Sequence, residues 1–458
     1  MTLATAFATI QYPIDEEMLT AGDTVFVADG SHIGFDNRSA SGIAGQPIVF
    51  KALGNNCIIT GSAGVRDDGI NIENVDYNVI EGFTSNNMPS SGNGIRLVLA
   101  DHCVVRRCTT RNNAERGIFT AFIHDVLIEY IVCSNSIDEH GIYLSNSSDR
   151  TIIRYNICHD NNANGIHCNA DLSAVGDGIS EDFMIYGNVL YDNNQAAGIN
   201  MDGIINAQVF NNLIYSNHMA QGIALFQIDG AVSSTGARIF NNTIIVPDDG
   251  RWGILFINGS HDGAEVYNNI ILTEHASRGA IATTSTNNFL SDYNIVSDVT
   301  NRMDDNPGNV ITLAQWQSQT GQDAHSKVAD PVAQIFVNYA AQDFHLANTS
   351  QATDMGTSLV SSIVLDDLEK MSQPGALTYD IGCYEGDAGA NDGGTQILKI
   401  QDPVVGQIYD DASVIYADAS INQANVVFRA EQEINLLPDF EVLPNFSFVL
   451  DLLPCAQH

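Results

Sequence analysis

The chain has 458 residues, of which 44% are hydrophobic, and its 18 basic and 55 acidic residues give a formal charge of −37. This acidic surface disfavours nucleic acid and anionic lipid as partners, and no apolar run reaches the roughly 18 residues of a membrane span. A single globular core stops growing at about 250–300 residues, so the length indicates a repeated architecture or several domains.

The N-terminal stretch MTLATAFATIQYPIDEEM lacks the basic region and the apolar core of a secretory signal. We expect that a signal was trimmed and that the protein is secreted or lies at the cell surface, because its C-terminal tail has the character of an exported protein. The eight cysteines include no CxxC spacing, which argues against a zinc site. Cys133 and Cys158 fall in predicted core columns and should be buried.

Gly-Ile pairs recur along the middle of the chain with spacings of 25, 23, 24, 24, 33, 24 and 31 residues. They begin at Gly69, Gly94, Gly117, Gly141, Gly165, Gly198, Gly222 and Gly253. Short alternating apolar stretches between polar turns predict several strands per unit and no helix of useful length. A period near 24 residues therefore predicts an all-β parallel β-helix with one unit per coil.

A polar turn precedes each Gly-Ile pair, as in RNNAER, DNNAN and DNNQAA. Aligning the coils places Asn112, Asp160, Asn193 and Asn217 near one column. Amide side chains stacked at the strand spacing of about 4.8 Å can hydrogen-bond along the axis. The column therefore predicts a structural asparagine ladder.

The ends of the repeat carry further sequence features. AGDTVFVADG and SGIAGQPIVFKALG open the chain, and SDYNIV, DPVAQIFVN, DFHLANTS and DIGCYEG follow the repeats. With the Gly-Ile coils, these segments resemble the secreted right-handed parallel β-helix proteins that include pectate and alginate lyases, polygalacturonase-like hydrolases and mannuronan epimerases. The resemblance covers roughly residues 5–386 and implies a right-handed helix with an N-terminal cap and a C-terminal closure.

The resemblance also organises the chain into domains. Residues 1–386 would form the β-helix, 387–395 a linker, and 396–458 a small β-rich module. The last segment resembles the tail modules of exported Bacteroidota proteins, which are linked to sorting. Asp439 stands where that pattern has glycine.

Strand phase predicts which side chains face solvent, because side chains alternate across a strand. Ile142 and Leu144 would point inward, and Tyr143 between them outward. In the next two coils the outward positions form a polar patch of His167, Asn169, Asn200 and Asp202. Tyr143 flanks the patch on one side and Phe226 on the other.

Two coils near the patch exceed the 24-residue period, and insertions in a solenoid form loops on one face. The first insertion carries Asp171, Asp177, Glu181 and Asp182, and the second is followed by Arg251 and Trp252. Patch and loops together predict a binding groove over residues 141–257. The expected substrate contacts are Asn169, Asn200, His218, Phe226, Arg251 and Trp252, although His218 equally suits a turn position.

Hydrolysis of a glycoside needs two carboxyl groups flanking the bond, and Asp171, Asp177 and Asp202 are the candidates. This is the preferred prediction: a glycoside hydrolase that degrades an extracellular polysaccharide and needs no cofactor. Asp177 could instead be a Ca²⁺ ligand or a turn residue.

Elimination from a uronate, or its C5 epimerisation, is the alternative. The sequence has no lysine between Lys51 and Lys327, so a lysine base is excluded across the repeats. Tyr143 and His167 could instead form a base–acid pair, with Ca²⁺ held by Asp171, Asp177, Glu181 and Asp182. The paired Asp and GHG signature of polygalacturonases and the DPH signature of epimerases are absent.

A third alternative is a non-catalytic glycan-binding or structural β-helix, which would need the ladders and surface aromatics but no clustered acids. Nucleotide cofactors are disfavoured because no phosphate-binding glycine motif opens a helix. We expect a monomer.

Overall fold

The computed structural model describes residues 6–173, 175–298, 310–374 and 378–386, together with the backbone of six strands between residues 397 and 452. It forms two compact units, residues 1–329 and 330–458. Within the described part of the first unit, three parallel sheets of 11, 12 and 10 strands wind around a common axis. Each coil contributes one strand to each sheet in turn, as the repeat predicts.

The strands are short because each coil must turn three times. Sheet A consists of Thr24–Val27, Ile48–Ala52, Asn78–Glu81, Val104–Arg106, Leu127–Glu129, Ile152–Arg154, Met184–Tyr186, Gln208–Phe210, Arg238–Phe240, Glu265–Tyr267 and Leu290–Asp292. Sheet B consists of Gly30–His32, Cys57–Ile59, Thr84–Asn86, Thr109–Arg111, Val132–Ser134, Ile157–His159, Val189–Tyr191, Leu213–Tyr215, Thr243–Val246, Ile270–Thr273, Ile295–Val296 and Lys327–Val328. Sheet C consists of Phe35–Asn37, Ile70–Glu73, Ile95–Val98, Ile118–Ala121, Ile142–Ser145, Ile166–Asn169, Ile199–Asp202, Ile223–Phe226, Ile254–Phe256 and Ile281–Thr283.

The Gly-Ile pairs set the register of sheet C. Ile118 pairs with Ile142, Ile142 with Ile166, and Ile166 with Ile199, so the predicted alignment of the coils is confirmed. The isoleucines are 0% exposed and fill the interior. The glycines stack on one another, and a Cβ at Gly117 would lie 2.6 Å from the carbonyl oxygen of Gly141, which is why no larger residue fits there. Cys133 and Cys158 are buried core neighbours, as predicted.

Two asparagine ladders run inside the turns. In the predicted ladder, Asn161 donates to Asn193 at 2.9 Å and Asn193 to Asn217 at 2.8 Å. The prediction that Asn112 and Asp160 belong to this ladder is wrong. Both take φ of +53° and stay exposed in the turn, so the residue after each of them enters the column.

The second ladder was not predicted and is the longer one. It consists of Asn156, Asn188, Asn212, Asn242, Asn269 and Asn294, each donating its amide to the oxygen of the next at 2.9–3.0 Å. It ends on the buried carboxylate of Asp323, to which Asn294 donates at 3.1 Å. The sequence signal for it is the asparagine that directly precedes six successive strands of sheet B, from Ile157–His159 to Ile295–Val296.

Short helices close the first unit. Tyr12–Asp15 lies at the N-terminal end, and Leu313–Thr320 lies at the other end, with Trp316 fully buried in the main core. Thr312 and Gln315 form a capping box that starts this second helix. Ser180–Glu181 and Ile204–Ile205 form a separate two-stranded sheet.

The second unit begins with the helix Val332–Ile335, the 3₁₀ turns Tyr339–Ala341 and Ser358–Val360, and the antiparallel strands Phe336–Asn338 and Asp343–Leu346. Further along, Ile397–Ile400, Ile408–Ala417, Val426–Leu436 and Phe448–Leu452 form one sheet, and Ser420–Ile421 pairs with Glu441–Val442. The predicted linker 387–395 lies outside the described residues, and the predicted boundary stays a prediction. Among the described helices, none has the length and apolarity required to cross a bilayer.

Asn212→Ala tests the long ladder. The substitution removes one acceptor and one donor from the stack and leaves the buried amides of its neighbours unpaired, so we expect a loss of about 2–4 kcal/mol in the free energy of unfolding. Chemical denaturation measures it. The control is Asn194→Ala, an exposed asparagine whose loss should cost under about 0.5 kcal/mol; equal losses would contradict a structural ladder.

Candidate functional site

The outer face of sheet C brings several predicted residues together. Tyr143, His167 and Asn200 are neighbours in register on three successive strands, and each side chain is partly exposed. The rings of Tyr143 and His167 stack at 4.9 Å between centroids. Asn169, in the next outward column, donates its amide to Tyr143 Oη at 3.3 Å and to Asp229 Oδ2 at 3.1 Å.

Asp202 lies beside Asn169 as predicted, but its carboxylate has a structural role. Both oxygens accept backbone N–H groups, from Ile228, Asp229 and Gly230 at 2.9–3.1 Å. Asp202 is 4% exposed, so this carboxylate cannot flank a glycosidic bond in solvent. The inserted loop needs an acceptor for three consecutive N–H groups, and Asp202 supplies it.

The two insertions join into one structure. Leu172 N–H donates to the Asp229 carbonyl at 2.9 Å, and Ala231 N–H to the Gly178 carbonyl at 2.8 Å. We call residues 171–173, 175–178 and 227–231 the loop wall. Because Asp202 anchors one insertion and that insertion binds the other, the wall stands at a fixed place beside sheet C.

The acidic residues of the first insertion do not converge. Asp171 accepts the N–H of Ser173 at 2.7 Å, Asp177 that of Ile179 at 3.0 Å, and Asp182 an amide of Asn206 at 3.3 Å. Glu181 is exposed on its short strand. Across the described residues, no three His, Cys, Asp or Glu side chains are grouped as metal ligands. The four predicted calcium ligands therefore bind separate groups or stay exposed, and in this arrangement they do not fit a Ca²⁺ site.

The remaining predicted contacts are dispersed. His218, in the turn between sheets B and C, pairs with Asp249 of the next coil at 3.1 Å, and Arg251 is exposed in the same turn as Asp249. The prediction that Trp252 stacks on a sugar ring is wrong, because its side chain does not reach the surface. It is 0% exposed and packs against Leu255 and Ala282. Phe226 is partly buried against the same residues.

A column that sequence reasoning missed completes the site. It consists of the residue before each glycine, including Asn93, Arg116, His140 and Asn164. His140 Nε2 lies 3.0 Å from His167 Nδ1, and the Arg116 guanidinium lies 4.9 Å from the centre of the Tyr143 ring. The same coil alignment, read one position before each glycine, would have revealed this column.

The hydrogen bonds assign the tautomers of the two histidines. The backbone N–H of Asn164 donates to His140 Nδ1 at 3.1 Å, so in neutral His140 the proton is on Nε2. This Nε2–H donates to His167 Nδ1, so neutral His167 carries its own proton on Nε2. The imidazole of His167, partly exposed on the outer face of sheet C, is therefore a hydrogen-bond donor.

Both histidines are held neutral. Burial, and then the charge of Arg116, lower the pKa of His167 to about 3. Burial is also the largest cause for His140, whose pKa lies well below its usual range, with smaller contributions from His167 and Arg116.

Arg116 is held in place by two carboxylates and two rings. Nη2 lies 2.5 Å from Glu139 and Nη1 lies 3.3 Å from Glu115, while the guanidinium also lies 5.2 Å from the centre of the Phe119 ring. These contacts fix the Arg116 guanidinium beside Tyr143, with its charge shared by Glu115 and Glu139.

On the N-terminal side, Phe119 and Arg116 also border a cleft of about 420 Å³. We call this the arginine cleft. It is lined by Val65, Arg66, Asp67, Asp68, Ser91, Asn93, Arg96, Arg116 and Phe119. Arg96 belongs to the same outward column as Tyr143, two coils away.

The carboxylates near this cleft belong to an ion-pair network. Glu73 binds Arg66 through both oxygens at 2.7 and 3.0 Å, which lowers the pKa of Glu73 to about 2. Burial raises the pKa of Asp68, against two hydrogen bonds from Asn93. These opposite shifts suit an acid and a base, but Glu73 also contacts Arg38 and Arg96 and is not free to reach a sugar.

Fold and outer face together define a right-handed parallel β-helix protein. The family model described as "Right handed beta helix region" matches residues 31–175, which is less than half of the chain. Among solved structures, pectate lyase Pel9A matches with a TM-score of 0.52 and 14% identity, covering 81% of this chain and 90% of the lyase. At this identity the likeness shows the shared fold.

Other similar structures give lower scores. An alginate lyase from Paenibacillus sp. str. FPU-7 matches with a TM-score of 0.46 and 18% identity, over 59% of this chain and 94% of the lyase. The A-module of the Azotobacter vinelandii mannuronan C-5 epimerase AlgE6 matches with a TM-score of 0.40 and 16% identity, over 70% and 94%. No curated protein sequence matches the chain.

The lowered pKa values of His140 and His167 predict an acid-sensitive fold. Between pH 6.5 and about 3 the unfolded chain binds a proton at position 167 that the folded chain excludes, so the free energy of unfolding falls as pH falls through this window. The slope contributed by His167 is up to about 1.4 kcal/mol per pH unit. Thermal melting should show that the His167→Gln variant loses less stability than the parent protein as the pH falls from 6.5 to 4. The control is His325→Gln, at a side chain that is 61% exposed; parallel curves for parent and His167→Gln would contradict the assignment.

Asp202→Ala tests the anchor of the loop wall. Three backbone N–H groups lose their acceptor, so we expect faster hydrogen exchange at residues 228–230 and a loss of about 2–4 kcal/mol in stability. Asp177→Ala, at an exposed turn carboxylate, is the matched control. Unchanged exchange at residues 228–230 in Asp202→Ala would show that the wall does not depend on this residue.

Proposed function

We propose that the outer face of sheet C abstracts the C5 proton of a uronate in an extracellular polysaccharide and eliminates the glycosidic bond, making this protein a polysaccharide lyase. The observation that carries the proposal is the packing of Tyr143 between the neutral imidazole of His167 and the fixed charge of Arg116. Proton transfer and charge neutralisation thus lie within one coil of each other. A location outside the cell or at its surface follows from such a substrate.

The chemistry explains why these groups belong together. A proton next to a carboxylate becomes removable only when the developing enolate is stabilised by positive charge or hydrogen bonds. Arg116 supplies the charge, and the Nε2–H of His167 supplies a hydrogen bond from an uncharged imidazole. Asn164 and His140 fix the direction of that donor.

Tyr143 moves the proton. As phenolate, its Oη takes the C5 proton, and as phenol it returns that proton to the departing O4 oxygen. The C4–O4 bond breaks, the C4–C5 double bond forms, and no further reactant is consumed. The amide of Asn169 binds Tyr143 Oη and holds it over the reacting carbon.

Glycoside hydrolysis, the preferred prediction from sequence, is less well supported. Asp202 is an anchor, Asp171 and Asp177 cap turns, and Glu73 is bound by arginines. C5 epimerisation shares the first step with elimination and differs in returning the proton to C5 from the opposite face.

The test is a screen of polymannuronate, polyguluronate, polygalacturonate and neutral glycans. Elimination gives ultraviolet absorbance from the new double bond, and epimerisation gives a changed C5 proton spectrum without it. Because Arg116 supplies the positive charge, we expect the rate to be equal in EDTA and in Ca²⁺. Reducing ends without a double bond would overturn the proposal in favour of hydrolysis, and inertness towards every uronate polymer would overturn it altogether.

On a polymer that the parent cleaves, Tyr143→Phe should lower kcat at least about 100-fold, because the hydroxyl that carries the proton is gone. Arg116→Gln should lose a similar factor, and Arg116→Lys should recover part of it by restoring the charge. The control is Tyr191→Phe, on sheet B, with melting curves to verify folding. Full activity in folded Tyr143→Phe would remove Tyr143 from the mechanism.

A further inference from the structure

The outward column of sheet C changes character along the helix axis. Arg96, Phe119, Tyr143, His167 and Asn200 are all partly exposed. The next three residues of the same column, Ala224, Leu255 and Ala282, are 0%, 1% and 0% exposed. The floor on which Tyr143 and His167 lie is therefore open towards the N-terminal coils and covered immediately beyond Asn200.

Apolar side chains cover it. Trp252 packs over Leu255 and Ala282, and Phe226, Ile257 and Val310 pack against this group. We call these six residues the end wall. Val310 precedes the helix that closes the unit and packs against the Trp252 cluster. With the loop wall alongside, the floor is closed at its C-terminal end.

The room beyond the reacting pair is small. Parallel strands lie about 4.8 Å apart, so Ala224, two coils after His167, lies about 10 Å from it. A sugar chain lying along the axis has space for about one or two rings between His167 and the covered positions. In the other direction the floor continues past Phe119 to Arg96.

Polarity favours the same direction. The arginine cleft on the open side is lined by Arg66, Arg96 and Arg116 together with Asp67 and Asp68, whereas the end wall is apolar. A sugar chain therefore finds hydrogen-bonding partners over the cleft and finds none on the end wall.

We propose that this enzyme is exo-acting: a chain end abuts the end wall, and the polymer leaves over the arginine cleft. The inference rests on the proposed function and adds the mode of attack to it. Each turnover would release a fragment of about one or two sugars, because that is what the closed end accommodates.

The experiment follows the early reaction on the uronate polymer that the parent cleaves. We expect short products of uniform size from the first minutes, a nearly unchanged viscosity, and an initial rate that doubles when chain length is halved at equal subsaturating mass. A rapid fall in viscosity with a ladder of intermediate sizes would overturn the exo mode and leave the lyase activity standing. Absence of any C5 chemistry would instead overturn the proposed function, and the exo mode with it.

Phe226→Ala provides the matched variant, because this residue is partly exposed and its loss opens the end wall without removing the buried Trp252. We expect longer first products than with the parent. Phe26→Ala, at an exposed phenylalanine on sheet A and away from this floor, is the control and should leave product length unchanged. Unaltered product length in Phe226→Ala, with a native melting curve, would contradict the end wall as the determinant of product size.

Discussion

The structure depends on the lateral registration of one coil on the next. Stacked glycines, interior isoleucines and amide ladders all repeat at the same phase, so each coil serves as a template for its neighbour. A slip of one residue would turn every interior isoleucine outward, and it would break both ladders at once. Because a slip would disrupt packing along the whole axis, the side chains of the outward columns are positioned as closely as those of the core. A site can therefore be built from single residues on separate coils.

The register could be read from the sequence because glycine followed by isoleucine marks the same point in each coil. It placed Tyr143, His167, Asn169, Asn200 and Asp202 correctly relative to one another. The sequence did not predict which groups surround each of these side chains. Asp202 has the sequence context of an exposed acid, but the loop that consumes its hydrogen-bonding capacity arrives from the following coil. Trp252 is buried by residues that lie close to it only after folding.

The column formed by the residue before each glycine was not predicted from the sequence, for a different reason. Alternation along a strand assigns inward and outward positions only where the backbone is extended, and Arg116 and His140 precede the strands. Their importance comes from contact with a neighbouring column: His140 touches His167, and Arg116 touches Tyr143. Residue type alone, an arginine and a histidine in equivalent places, was the available clue.

The solenoid also constrains how the distance between the arginine cleft and the reacting pair can vary. Arg96 and Tyr143 are separated by a whole number of coils, so any duplication or loss of a coil between them would change their separation in steps of one strand spacing. Intermediate lengths are inaccessible without breaking the strand register of sheet C. During evolution, the distance between the substrate contacts and the reacting groups would therefore change only by whole strand spacings, while the reacting groups themselves stay unchanged.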